Sequence, residues 1–137
     1  MNRADLQSIA GIRLREAKLL LDSGEYAGAY YLCGYVVECA LKACIAKQTR
    51  RYDFPNKKQA IDSYTHKPLE LVKVAGLVAA LNTQKTANPA FEINWQVVIT
   101  WDETSRYTTH SRAEAQDLYN AIADRRNGVL KWIKQHW

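Results

Sequence analysis

Glu38 and Lys42 are the residues in this chain whose placement most demands a chemical explanation. They stand in the middle of EYAGAYYLCGYVVECALKACIAKQ, residues 25–48, a stretch with no proline and with apolar side chains on nearly every side. At a separation of four they share one face of a helix. As an exposed pair they would contribute about 0.3–0.5 kcal/mol. A carboxylate buried without a partner is costly and must be paired or protonated. The neighbours Val36, Val37, Cys39 and Ala40 point to burial, and so to a polar network joining this helix to a loop. Tyr31 and Tyr35 lie on the same face and can add hydroxyls to it. A structural network is preferred to a catalytic carboxylate, because buried ion pairs perturb ionisation without implying catalysis. The expected partner is Arg106 in Ser105-Arg106-Tyr107, since a guanidinium fork makes two parallel hydrogen bonds to a carboxylate. An Arg106–Glu38 contact would pin that loop to the helix.

Other candidates are weaker. His66 and His110 each lie just before a helix start, where a histidine caps the helix or sits at the surface. His136 is expected to be exposed. The three histidines have no metal-ligand spacing, and Cys33, Cys39 and Cys44, all on the one helix, match no zinc pattern. Cysteines on one helix do not readily pair with each other, so the three read as small buried residues in a reducing compartment. The chain has no P-loop, GxGxxG or GxSxG motif. Trp95 and Trp101 are expected to pack in the core, with Trp132 and Trp137 left open.

The elements that must position these groups are helical. A helix apolar all round is a buried central one, so residues 25–48 form the axis of the molecule. A first helix over about Ala4 to Asp22 keeps Leu6, Ile9, Ala10, Ala17, Leu20 and Leu21 at helical spacing and stops at Ser23-Gly24. The short turn makes the two antiparallel. Gly28 and Gly34 inside the central helix suggest close approach of a neighbour, since each costs roughly 1 kcal/mol relative to alanine. Residues 50–67 read as a surface connection with a helical turn at Lys57–Ile61. A third helix is expected over Pro68 to Leu81, opened by its proline, followed by a turn at NTQKTANP. A short helix follows over Ala90 to Thr100, and then a loop, DETSRYTTH. Ser111 and Glu114 form a capping box opening a last helix to about Gln135. The fold class is therefore all-α, an antiparallel up-and-down bundle of four to five helices in a single domain, residues 1–137.

Composition agrees. Of 137 residues, 47% are hydrophobic and 24% charged, which is ordinary for a globular chain and excludes a disordered one. The net charge of +5 permits an acidic partner such as RNA or a nucleotide. The densest basic cluster, Arg50–Arg51 with Lys57–Lys58, reads as a solvated loop. The N-terminal stretch lacks a signal-peptide core. Charges inside the central apolar run argue against a membrane span, so a cytoplasmic protein is expected.

Several separated segments resemble a known family. RLREAKLLLDSGEYAGAYYLCGYVVECALKACI resembles the first two helices of the HEPN domain. THKPLELVKVAGL is similar to its third-helix segment, and Trp101 with Ser105-Arg106-Tyr107 resembles its later W…SRY element. The likeness runs from about Arg13 to Tyr119. It implies an all-α bundle and frequent homodimerisation. It also implies a role in prokaryotic toxin–antitoxin or defence systems, often beside a nucleotidyltransferase partner. Active members are metal-independent RNases, with an arginine, a polar residue next to it, and a histidine after four to six intervening residues, near the start of the last helix. Here Arg125, Arg126 and Asn127, expected within the last helix, supply the first two elements. Leu130, Lys131, Trp132 and Ile133 stand where the histidine belongs. Arg106 and His110 have only three residues between them and lie in a loop. The general acid/base of that mechanism has no residue to carry it, so nuclease activity is not carried over.

Three functions follow as expectations. The first is a non-catalytic HEPN-type module that binds a partner protein, a nucleotide or RNA through a surface near Glu38, Lys42, His66, Arg106 and Tyr107. The second is an RNase with an atypical site at Arg125, Arg126 and Asn127, joined by His110. The third is a structural dimerisation subunit. No cofactor or metal is expected.

Overall fold

The computed structural model describes residues 1–49, 54 and 56–137. Arg50 and Arg51, half of the basic cluster noted above, lie outside the described residues. Every regular element among those described is helical.

Helix α1 spans Arg3–Asp22, and Asn2 caps it. The Asn2 side chain accepts from the Asp5 amide at 2.9 Å, and the Asp5 carboxylate accepts from the Asn2 amide at 3.0 Å. The helix ends in a Schellman turn. Gly24 sits at φ +82°, its amide donating to the Leu21 carbonyl and that of Glu25 to the Leu20 carbonyl. Helix α2, Tyr26–Lys47, then returns antiparallel. It is the central element: eleven of its residues are buried, and α1, α4, α7, α8 and the turn carrying Arg106 all pack against it. By length and hydropathy it could cross a membrane, yet 67% of its apolar window is buried under other helices.

Its glycines answer to neighbours. A methyl group at Gly28 would meet Leu20 of α1 at 3.3 Å. One at Gly34 would stand 1.9 Å from Cε2 of the Trp101 indole, an impossible approach. Trp101 therefore occupies the space that the missing side chain leaves open. It is 2% exposed, and Trp95 is 1% exposed, so both tryptophans pack in the core as expected. Trp132 joins them, 5.5 Å from the Phe91 ring centroid and 6.4 Å from that of Trp95.

Helix α3, Lys57–Asp62, is the expected surface turn. It has no buried residue and is capped by Asn56. The expected third helix is in fact two. Helix α4, Pro68–Val74, closes on Gly76 at φ +70°, and helix α5, Val78–Ala87, begins immediately after. The second half of the turn is again a Schellman pattern, with Gly76 N donating to Lys73 O and Leu77 N to Val72 O. Conversely, NTQKTANP is mostly helix. Thr83 and Thr86 bond back to the carbonyls of Ala79 and Asn82, each at 3.0 Å, so their hydroxyls do not compete with the helix. Only Asn88-Pro89 breaks the chain, and Asn88 caps helix α6, Pro89–Val98. The segment expected as loop at DETSRYTTH contains a 3-10 turn, Glu103–Tyr107, capped by Asp102.

The Ser111–Glu114 capping box opens helix α7, Arg112–Ala123, as expected. The last helix does not continue. It breaks at residues 124–128 and resumes as α8, Val129–Lys134. The Asp124 carboxylate accepts from the amides of Arg126 (2.9 Å) and Asn127 (2.6 Å), which replaces helical bonding with a turn. Gly128 is needed there because a side chain would strike the Asp124 carbonyl at 2.4 Å. Arg125, Arg126 and Asn127 thus lie on a turn between helices.

Candidate functional site

Tyr31, Tyr35, Glu38 and Lys42 follow one another along a single face of α2, with steps of four, three and four residues. The hydroxyls of Tyr31 and Tyr35 meet at 3.1 Å. Lys42 Nζ lies 2.7 Å from Glu38 Oε1. Glu38 is only 5% exposed, so this is the buried network expected from its apolar neighbours and not a surface ion pair.

The partner from outside the helix is not Arg106. It is His66, whose Nδ1 stands 3.0 Å from both carboxylate oxygens of Glu38. A carboxylate only accepts, so Nδ1 carries the proton. His66 belongs to Thr65-His66-Lys67, the segment that leads into Pro68 of α4. The contact therefore ties the α4 entrance to the central helix. His66 neither caps the helix nor stands free at the surface. Its edge also meets Tyr35, with 6.2 Å between ring centroids, and Tyr35 meets Trp101 at 5.5 Å.

Arg106 is on the 3-10 turn and exposed. Its guanidinium lies over the ring of Tyr107, 4.8 Å from the centroid, with Tyr31 beside it. It makes no ion pair among the described residues. Two features explain why the expected contact fails. Lys42 and His66 already satisfy Glu38, and a 3-10 turn with Ser105 facing inward sends the next two residues outward. Ser105 is 6% exposed and Tyr107 is 78% exposed. The face as built is therefore a strip. A satisfied carboxylate sits at one end, two tyrosines in the middle, and an unpaired arginine with an exposed ring at the other. Burial is the main cause that pushes the Tyr35 phenol above its ordinary value, with Tyr31 second. The strip thus offers phenol hydroxyls and the Arg106 guanidinium. Beneath it, Trp101 Nε1, Ser105 Oγ and one Glu103 carboxylate oxygen are buried with no protein partner among the described residues.

The other candidates do not converge. His110 stacks on Tyr30, with centroids 3.6 Å apart and planes at 14°, and contacts Thr108 (3.0 Å) and Glu114 (3.2 Å). It precedes α7, whereas Arg125 follows it. Twelve residues of helix at 1.5 Å each separate the two by about 18 Å within one chain. Asn127 is used structurally: its side-chain oxygen accepts from Asn88 and its carbonyl from Asn94, each at 2.9 Å. His136 is half-buried against Trp132, not exposed, and burial lowers its pKa. Cys33 and Cys44 are buried and Cys39 half-buried, all as free thiols. No group of three metal-ligating side chains converges among the described residues.

Sequence reasoning found Glu38, Lys42, Tyr31 and Tyr35 from their spacing. It placed His66 on the candidate surface without pairing it to Glu38. Of the signals available, only the histidine beside a helix-opening proline pointed there. Comparison with known proteins gives one result that bears on the whole chain: the family model described as HEPN domain matches residues 4–134. No curated protein and no solved structure matches.

Proposed function

The chain belongs to the HEPN domain family, and on that premise we propose that it is a non-catalytic HEPN-type module that binds single-stranded RNA or a nucleotide through the Tyr31–Tyr35–Arg106–Tyr107 end of the α2 strip. One observation carries this reading. The Arg106 guanidinium is exposed and unpaired among the described residues, and it lies over an exposed tyrosine ring. An arginine left without a carboxylate suits a phosphate, and a solvent-facing aromatic ring suits a base. The formal charge of +5 favours such a ligand at long range. Glu38 does not oppose it, because Lys42 pairs with it and His66 Nδ1 donates to it in place.

The absence of catalysis rests on the sequence around Arg125 and Arg126. No histidine follows at the family's spacing, and Asn127 is committed to Asn88 and Asn94. Homodimerisation and a nucleotidyltransferase-type partner belong to the same proposal through the family's habits.

Fluorescence anisotropy with a labelled single-stranded RNA in EDTA tests the reading. Saturable, salt-sensitive binding is expected. Arg106→Ala and Tyr107→Ala should each weaken it by roughly tenfold, the loss of one phosphate contact or one stacked base. Binding indifferent to both substitutions overturns the proposed site. Cleavage of the RNA in EDTA, abolished by Arg126→Ala, would instead establish the RNase reading.

A further inference from the structure

Between α6 and α7, beside Tyr30 of α2, lies an open groove of about 480 Å³. Its walls are Ile93, Val97 and the aliphatic part of Gln96 from α6, with Thr100 at the end of that helix and the Tyr30 ring from α2. Glu114 and Asp117 of α7 form the other rim. The volume falls within the range of small-molecule sites, roughly 300–1,000 Å³. The lining holds two carboxylates and no lysine, arginine or histidine, although the chain as a whole carries five more basic than acidic residues.

The two carboxylates are not equivalent. Both oxygens of Glu114 are engaged: one accepts from the Ser111 amide and the other faces His110 Nδ1, each at 3.2 Å. Asp117 makes no hydrogen bond or ion pair among the described residues. Ile93, 67% exposed, stands at the mouth as apolar surface with nothing over it.

We propose that this groove is a binding site for a small organic cation with an apolar body, an aryl- or alkyl-ammonium. The cationic end would pair with Asp117 and the apolar body would lie between Ile93, Val97 and the Tyr30 ring. The Asp117 carboxylate attracts the ammonium, and the Ile93, Val97 and Tyr30 surface takes the apolar body, so the two ends of such a ligand are recognised by different parts of one groove. A neutral apolar ligand would leave Asp117 partly desolvated and unpaired, and an anion would be repelled. The groove therefore discriminates by charge. It is separate from the nucleic-acid strip, and its occupancy does not depend on RNA binding.

Tryptamine is the probe, with its neutral analogue tryptophol as control, titrated into the full chain and followed by amide chemical shifts. Saturable shifts confined to the neighbourhood of Ile93, Val97, Thr100 and Asp117 are expected. Tryptophol should bind roughly fivefold more weakly, and Asp117→Asn should reduce tryptamine affinity by a similar factor while leaving the thermal midpoint unchanged, as suits an exposed carboxylate with no ion pair among the described residues. Equal affinity for the two probes, indifference to Asp117→Asn, or shifts that follow protein concentration and not probe concentration would overturn the proposal. The last result would mean that a second copy of the chain covers the groove.

Discussion

His66 Nδ1 is held 3.0 Å from both oxygens of the buried Glu38 carboxylate, and Lys42 completes the set from the same helix at 2.7 Å. One acid therefore has two proton-bearing partners, one local and one from a segment 28 residues away. The local partner makes burial of the acid affordable, and the distant one fixes where α4 begins.

Removing either partner should be felt and removing Arg106 should not. Lys42→Met and His66→Phe each leave Glu38 with a single donor. Because Lys42 and His66 retain 23% and 40% of their side-chain exposure, water offsets part of the loss. A cost of about 1–3 kcal/mol is expected for each, below the full penalty of a broken buried pair. Arg106→Ala, on an exposed side chain with no ion pair among the described residues, should leave the urea midpoint close to wild type. Urea midpoints for the three variants check the ranking. An Arg106 variant as destabilised as the Lys42 variant would restore the arginine to the network.

Gly34 and Trp101 should behave as one unit. The added methyl group in Gly34→Ala would fall 1.9 Å from the indole, and relief requires moving a fully packed tryptophan. Destabilisation of about 3 kcal/mol is expected, at the upper end for overpacking. Trp101→Ala alone should cost about 3–5 kcal/mol. The double variant should be much less unstable than the sum, because the cavity left by the indole accepts the methyl group. A double-mutant cycle by chemical denaturation measures this coupling, and simple additivity would contradict the packing described.

Acid should weaken the helix starts and the 124–128 turn together. Glu114 is held below its ordinary 4.5 first by the backbone hydrogen bond with Ser111, and Asp124 below its ordinary 3.8 first by the backbone hydrogen bond with Asn127. Asp102 is likewise lowered, chiefly by Thr104. A depressed folded-state pKa stabilises the fold fully above the ordinary value, and that stabilisation disappears as pH falls through the folded one. The thermal midpoint should therefore be flat in this respect above about pH 5 and fall below about pH 4. Asp124→Asn should flatten the fall, since it removes one proton-binding group. A profile unchanged by Asp124→Asn would show that the turn does not depend on the charge.

Thiol reactivity should rank by environment. Burial pushes Cys33 up to about 12 and Cys44 up to about 11. Cys39 is also raised by burial, but it is only partly buried at the edge of the core cluster. At pH 8 the thiolate fraction of the two buried cysteines is negligible. Alkylation of the native protein followed by mass spectrometry should modify Cys39 first, with Cys33 and Cys44 reacting only on unfolding. Early modification of Cys33 would mean that the central helix opens locally.

Much of this fold was determined by local sequence. A 22-residue helix apolar all round has no stable place except at the centre of a bundle, and the Ser23-Gly24 stop and the Ser111–Glu114 box act through contacts within a few residues. Periodicity and capping are short-range, so they can be read along the chain. The breaks were less legible. Gly76 reads equally as a tolerated helix interior or as a left-handed terminus, and only the packing of α5 against α6 selects the second. The turn at Asp124–Gly128 depends on Asn127 reaching Asn88 and Asn94, residues that become neighbours only after the helices assemble. The same holds for the site. Spacing put Glu38, Lys42, Tyr31 and Tyr35 on one face, but which distant side chain reaches the acid depends on where two connecting segments settle. Arginine had the better chemistry for that contact. Histidine had the position, and in a close-packed interior position decides.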